Sequence, residues 1–441
     1  MTGTTPDLPP VREAAPDGPL RTALHGVHEA LGASFTDFGG WDMPLRYASD
    51  LAEHHAVRRS AGIFDLSHMG EVKVTGTQAA AALDHALVGT ISKVGLGRAR
   101  YTMIVAEDGG ILDDLIVYHV GEEEYLVVPN AGNRERVAAA LAERCADFDC
   151  TVEEISLRTS LIAVQGPRAE EILRGVVESG AAIPAALRPV EGEHKETDEG
   201  CGPDVLCGEG ILARLRYYAA VRATAAGHAI LLARTGYTGE DGFELFCGSE
   251  DAEDLWQVIT AHAASLPPTP PQDGDSADAG ELPALTPCGL ASRDSLRLEA
   301  GMPLYGHELT EGITPFDASL GAVVKLDKPE FVGRDSLAER ADRDGEPGTR
   351  VLVALAGEGR RAARAGSPVL ITEPDGTTRE VGTVTSGLLS PTLGHPIALA
   401  LLEPFTREET AWPAGTVLAA DVRGRQLPMS VVDAPFYKRA R

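Results

Sequence analysis

The chain reads as an α+β protein that ends in a small all-β domain. Two observations predict this. Up to about residue 345, strand-like apolar runs alternate with amphipathic or Ala-rich helical stretches. From residue 349 onward the helical signal stops. Six short β-rich runs follow, at 351–356, 368–371, 380–385, 398–402, 417–421 and 427–432, with turns at regular spacing. A length of 441 residues fits two or three domains with a large core.

The N-terminal segment 1–20 is Pro-rich, mixed in charge and without an apolar stretch, and is expected to be a disordered leader. Phe38-Gly39-Gly40-Trp41 is a turn beside large apolar groups. Residues 50–60 form a helix carrying His54 and His55. Neighbouring helical side chains diverge by about 100°, so the two histidines do not share a metal; they are expected to be solvated or capping. Residues 62–74 read as strand-like, interrupted by Asp65-Leu66-Ser67-His68-Met69. A short Ala-rich helix, 77–87, precedes a hairpin of strands 100–106 and 111–120, then a strand at 125–129 and a helix at 134–145.

A second α+β unit starts with strand 161–164, Gln165-Gly166-Pro167 and a helix to about 177. Strands at 214–221, 229–234 and 242–247 and a helix at 251–264 complete it. Residues 191–210 look like an acidic surface insertion and 266–283 like a disordered loop. The stretch 288–301 is a helix stopped by Gly301, with Arg293 and Arg297 one turn apart on one face.

Composition narrows the function. A formal net charge of −27 argues against nucleic-acid and anionic-membrane partners, and part of it is local to the two acidic segments. No apolar run approaches the length of a membrane span. The six cysteines, Cys145, Cys150, Cys201, Cys207, Cys247 and Cys288, form no C-x-x-C, so no metal site is expected. Reduced thiols in a cytoplasmic protein are the default, with Cys201 and Cys207 the one pair placed to bridge. Gly357-Glu358-Gly359-Arg360-Arg361-Ala362 matches a dinucleotide fingerprint in letters, but Gly366-Ser367-Pro368 leaves no room for the helix that would hold a pyrophosphate.

The chemistry concentrates at 107–119. Asp108-Gly109-Gly110 is a tight-turn signal, and the β-rich run after it carries two adjacent aspartates. Side chains alternate along a strand, so Asp113 and Asp114 point to opposite faces, and one is expected to enter a cavity or core. A buried carboxylate needs a partner. Asp114, Tyr118, Asn130, Glu244, Arg293 and Arg297 are polar groups in apolar or Gly-rich settings. Together they suit a planar, nitrogen-rich heterocycle, because a carboxylate accepts two N–H bonds from an aminopyrimidinone edge while arginine donates to its acceptors.

Several blocks in order resemble the T protein, the aminomethyltransferase of the glycine cleavage system. They are Phe64-Asp65-Leu66-Ser67-His68-Met69, Gly109-Gly110-Ile111-Leu112-Asp113-Asp114-Leu115, Val164-Gln165-Gly166-Pro167 and Arg234-Thr235-Gly236-Tyr237-Thr238-Gly239-Glu240-Asp241-Gly242. Arg293-Asp294-Ser295-Leu296-Arg297-Leu298-Glu299-Ala300-Gly301, Gly382-Thr383-Val384-Thr385-Ser386-Gly387 and Pro435-Phe436-Tyr437-Lys438 complete the set. The resemblance implies two α+β lobes over residues 20–345 and a C-terminal β-barrel over 346–441, around a central channel for tetrahydrofolate. It also implies transfer of an aminomethyl group from the lipoylated H protein to tetrahydrofolate, giving 5,10-methylenetetrahydrofolate and ammonia. Position by position, it makes Asp114 the catalytic carboxylate and Glu244 and Arg293 folate ligands. Met69, Tyr101, Tyr118, Asn130 and Tyr237 become lesser pocket positions, and Tyr437 a C-terminal folate contact.

Relatives of the same framework weigh less. A flavin-dependent demethylase needs an N-terminal dinucleotide domain for which the first sixty residues have no room. An iron–sulfur assembly protein carries a cysteine motif that 234–242 lacks. A non-catalytic folate-binding paralogue or scaffold is the alternative reading.

Overall fold

The computed structural model describes residues 18–180, 206–271, 280–343, 346, 348–406 and 411–439. Their β-structure comprises a two-stranded hairpin, Ser34–Phe38 with Trp41–Arg46, two larger antiparallel-rich sheets and a closed barrel. The five-stranded sheet runs Ala99–Val105, Ile111–Gly121, Glu124–Pro129, Val72–Thr75, Thr151–Glu154. The eight-stranded sheet runs Leu206–Cys207, Val177–Gly180, Ala220–Ala225, His228–Ala233, Gly242–Gly248, Thr159–Gln165, Gly62–Asp65, Thr286–Pro287, with its last pair parallel. The α+β class with a C-terminal β-barrel holds.

The lobes interleave where the sequence suggested one strand. Residues 62–74 divide into Gly62–Asp65, in the eight-stranded sheet, and Val72–Thr75, in the five-stranded sheet. Asp65-Leu66-Ser67-His68-Met69 is the crossover between lobes. It is pinned by the buried Asp65 carboxylate, which accepts from Thr22 Oγ1 at 2.6 Å, His28 Nε2 at 3.0 Å and Ser67 N–H at 2.9 Å. Burial alone would raise this carboxyl's proton affinity, but the His28, Thr22 and Ser67 bonds hold it below the ordinary range.

Strand alternation builds three layers. Leu115, Val117 and Val127 pack with Leu83 and Leu141 of the helices Ala79–Ala86 and Arg134–Arg144. Phe243 and Leu245 pack with Leu255 and Ile259 of Ala252–Ser265 on the far side of the second sheet. Between the sheets, Tyr118, Leu126 and Val128 meet Phe64, Ala163, Ala233 and Phe246. A residue's parity along its strand therefore decides whether it faces a helix layer or the layer between sheets.

Other expectations shift. The expected strand over 214–221 begins later, as Ala220–Ala225, and follows a helix, Gly208–Arg214. The expected insertion over 191–210 lies outside the described residues up to 205. From 206 it joins the sheet, where Leu206–Cys207 pairs with Val177–Gly180. Of the expected disordered loop 266–283, residues 272–279 lie outside the described set. The flanks are ordered: Thr269 and Leu282 exchange backbone bonds at 2.7 and 2.9 Å, and Ser60 Oγ bonds Thr269 Oγ1 at 2.7 Å. Residues 1–17 of the leader and Cys201 also lie outside the described residues. Among the described residues, no helix is long and apolar enough to cross a membrane.

The barrel closes as Val351–Gly357, Pro396–Leu402, Thr378–Leu389, Pro368–Thr372, Val417–Val422, Arg425–Val432. After Gly357 the chain runs into a loop rather than a helix, so the dinucleotide-like letters build no phosphate site. A buried polar network ties the barrel to the lobes through the helices Asp50–Arg59 and Leu290–Glu299. Gly301, at φ +67, stops the second helix against Ala434 and Pro435. Glu299 accepts from Arg58 Nη2 at 2.9 Å and from the barrel residues Ser390 and Thr392.

His54, expected to be solvated or capping, is instead buried. It bonds Ser295 Oγ at 2.7 Å and Thr392 Oγ1 at 2.9 Å, and lies 3.2 Å from Glu299. These partners are more than two hundred residues away in sequence, so helix position alone did not reveal them.

Burial opposes ionisation of Glu299, but the His54 bond and the Arg58 charge hold its carboxyl down to about 2. A depressed folded-state value stabilises the fold above the unfolded carboxylate range, and that contribution disappears as pH falls toward 2. Glu299→Gln is expected to cost about 3 kcal/mol at pH 7 and to flatten the fall of Tm between pH 4.5 and 2. Thermal unfolding against pH measures both.

Candidate active site

The hairpin that presents the two aspartates is set by its turn. Gly109 sits at φ +87, Ala106 N–H bonds Gly110 O at 2.8 Å, and Gly110 N–H bonds Asp108 Oδ1 at 3.0 Å. The strand Ile111–Gly121 then alternates as expected. Asp113 shares the parity of Leu115 and Val117 and faces the helix layer. Asp114 shares the parity of Ile116 and Tyr118 and faces the layer between sheets.

The expectation that only one aspartate would be enclosed needs correction. Asp113 is fully buried and Asp114 half-buried, and both reach one amide. The neighbouring strand Glu124–Pro129 stops beside Leu115, so the flank at Asp113 and Asp114 is open to Asn130. Asn130 Nδ2 donates to Asp113 Oδ1 and Asp114 Oδ1, each at 2.8 Å. Asp113 also accepts from Asn130 N–H at 2.8 Å and Asn133 Nδ2 at 2.7 Å. Asp114 Oδ2 accepts from the Tyr101 hydroxyl at 3.0 Å. Burial lifts both carboxyls above the ordinary range, and their mutual repulsion adds to this.

Glu244 shares the parity of Phe246, so it enters the same layer from the opposite sheet. One carboxylate oxygen, Oε2, accepts from the Thr235 hydroxyl and from Tyr118 at 3.3 Å. The other accepts no hydrogen bond from a described residue. Tyr118 is 1% exposed, so it supports Glu244 more than it lines open space.

Arg293 comes from Leu290–Glu299, one turn before Leu296, which packs in the layer between sheets. Its guanidinium lies over the Tyr237 ring at 5.0 Å and feels the Glu244 charge; it makes no hydrogen bond to a described residue. Tyr237 donates to Pro303 O and feels Asp114 as well as both arginines. Asp114, Glu244, Arg293, Tyr101, Tyr118, Asn130 and Tyr237 thus gather in one region. Met69 packs against the same apolar layer.

Two expected members behave differently. Arg297 is spent on structure: it bonds Asp294 at 2.8 Å, Glu308 at 3.0 Å and Ser386 of the barrel at 2.8 Å. Tyr437 stacks under Arg58 at 4.0 Å and is felt by Glu240 and Glu299, so its contacts belong to the interlobe network.

Three residues outside the expected site set join the region. Thr235 holds Glu244. Tyr218, at φ +58, feels both Asp114 and Glu244. His68 is 1% exposed, and burial with the nearby Arg293 charge pushes it down to about 4, so it is neutral at pH 7. Thr235 and His68 stand inside quoted motifs, but nothing in their spacing marks them as facing a site.

Two family models cover the chain: the GCVT N-terminal domain over 24–188, 209–270 and 276–328, and the glycine cleavage T-protein C-terminal barrel domain over 350–438. The chain belongs to the glycine cleavage T-protein family. Curated aminomethyltransferases are similar end to end. That of Corynebacterium jeikeium is 49% identical over 96% of this chain and 99% of its own, and that of Halalkalibacterium halodurans 37% over 95% and 98%. The crystal structure of the glycine cleavage system aminomethyltransferase T of Bartonella henselae superposes with a TM-score of 0.74 at 30% identity, covering 95% of this chain and 98% of that one.

Asn130→Ala removes the donor common to both carboxyls. The expected cost is about 2–4 kcal/mol at pH 8. The deficit should shrink as pH falls and the carboxyls protonate, because losing donors raises their folded-state proton affinity. Urea unfolding at several pH values measures it.

Proposed function

We propose that the chain is the aminomethyltransferase of glycine cleavage. It accepts the aminomethyl group from the dihydrolipoyl arm of the H protein and passes the one-carbon unit to tetrahydrofolate. The observation that carries this is the convergence of Asp114, Glu244 and Arg293 on one layer, with hydrogen-bonding capacity left over. Glu244 Oε1 accepts no hydrogen bond from described residues and the Arg293 guanidinium donates none to them, which fits the donor edge and the acceptors of an aminopyrimidinone ring. Half-burial of Asp114, Tyr101, Tyr237 and Arg293 fits groups that enclose a substrate.

In the balanced reaction the methylene carbon gains bonds to N5 and N10 of the folate and loses its bonds to sulfur and to the amine nitrogen. The two folate N–H protons leave with the thiol and with ammonia. Folate amines are weak nucleophiles, so orientation supplies much of the acceleration. Asp114 takes the N10 proton as the bridge closes. Burial makes it a stronger base than an exposed carboxylate, and its charge stabilises the cationic iminium stage. The thiols of Cys145, Cys150, Cys247 and Cys288 are unpaired, which suits a cytoplasmic protein.

The test is ammonia release from aminomethylated H protein with and without tetrahydrofolate. Folate-stimulated release is expected. Folate binding without stimulation would instead favour a non-catalytic scaffold. Asp114→Asn should lower turnover about a hundredfold or more while folate still binds; full turnover in that variant removes Asp114 from the role.

A further inference from the structure

Nothing in the proposed reaction requires the second aspartate, yet Asp113 is the more deeply buried of the two and carries more hydrogen bonds. Its three donors are Asn130 N–H, Asn130 Nδ2 and Asn133 Nδ2. All are N–H groups. None can turn round to accept, so a proton placed on Asp113 Oδ2 would find no acceptor among these partners. Asp114 differs in kind. Its Oδ2 partner is the Tyr101 hydroxyl, which donates to a carboxylate and can rotate to accept from a carboxylic acid. Protonation at Asp114 therefore leaves its O–H a partner in the Tyr101 hydroxyl; protonation at Asp113 buries an O–H with none among these donors.

We infer that Asp113 is a positioning residue that stays ionised through the catalytic cycle, and that its fixed negative charge makes Asp114 the stronger base. The inference rests on the reading of Asp114 as the proton acceptor. Asn130 sets the coupling: by holding an oxygen of each carboxylate on one nitrogen, it keeps the two charges close in a buried setting where repulsion is poorly screened. Other groups facing the pair do not replace this charge. Tyr101, Tyr218 and Tyr237 face Asp114, and burial keeps all three phenols protonated at neutral pH. Tyr305, with Arg136 beside it, faces Asp113. Burial and the Asp114 charge favour a proton on Asp113 as well, and its three N–H donors oppose them; on this reading they keep Asp113 the anion and leave Asp114 the site where a proton arrives and leaves.

The test pairs kinetics with a substrate-free readout. In the full-length enzyme, the acid limb of folate-dependent ammonia release against pH should fall by about one pH unit in Asp113→Asn, because the repelling charge is gone. A structural role alone would lower turnover without moving the limb, and an unmoved limb overturns the inference. Should Asp113→Asn fold poorly, carboxyl-carbon NMR of aspartate-labelled wild-type protein decides the matter without substrate. Assignment comes from Asp114→Asn. The Asp113 resonance should stay in its ionised position through the neutral range while the Asp114 resonance titrates; the reverse pattern overturns the inference. Lack of ammonia release by wild-type enzyme would defeat the functional reading alone, since the NMR titration still reports which carboxyl holds the proton.

Discussion

A single asparagine amide that bridges two enclosed carboxylates is the constraint around which this site is built. Two acids side by side in a folded interior repel each other and lose hydration. They persist when N–H donors replace the lost water and the strand holds their backbones apart. Asn130 can reach both because its own strand ends one residue earlier, at Pro129, which leaves the flank of Ile111–Gly121 unpaired there. Strand termination is thus what lets side chains of opposite parity share a partner.

The rest of the architecture delivers complementary groups to the same layer. Glu244 arrives from the second sheet by parity. Arg293 arrives from a helix wedged between lobes and barrel. His68 and Met69 arrive on the crossover that threads one lobe into the other. The buried network of Arg58, His54 and Glu299 holds that helix in place through hydrogen bonds to Ser390 and Thr392. A fold made of three interlocked parts can therefore set side chains from distant stretches of chain at fixed separations, the arrangement a reaction between two large substrates requires.

Much of this was legible in the residues themselves. Period-two alternation and the Asp108-Gly109-Gly110 turn gave the hairpin; the terminal glycine gave the end of Leu290–Glu299; regular turn spacing gave the barrel. Asp114, Glu244 and Arg293 stood out as polar groups in apolar or Gly-rich stretches. What could not be read depends on partners remote in sequence. The split of 62–74 between two sheets is decided by which strands lie alongside, not by its own pattern. His54 is buried because Ser295 and Thr392 reach it, and Arg297 is committed because Glu308 and Ser386 do. Asp113 was passed over for the same reason, since its donors come from beyond the next strand.

The account's central claim is that one layer between the sheets receives the folate and presents Asp114 to its reacting amines. A crystal structure of the protein with tetrahydrofolate bound measures this most directly. It should show the aminopyrimidinone edge on Glu244, Arg293 against the ring, and N10 within hydrogen-bonding reach of Asp114. Folate seated elsewhere, or seated here with Asp114 turned away from both N5 and N10, would contradict it.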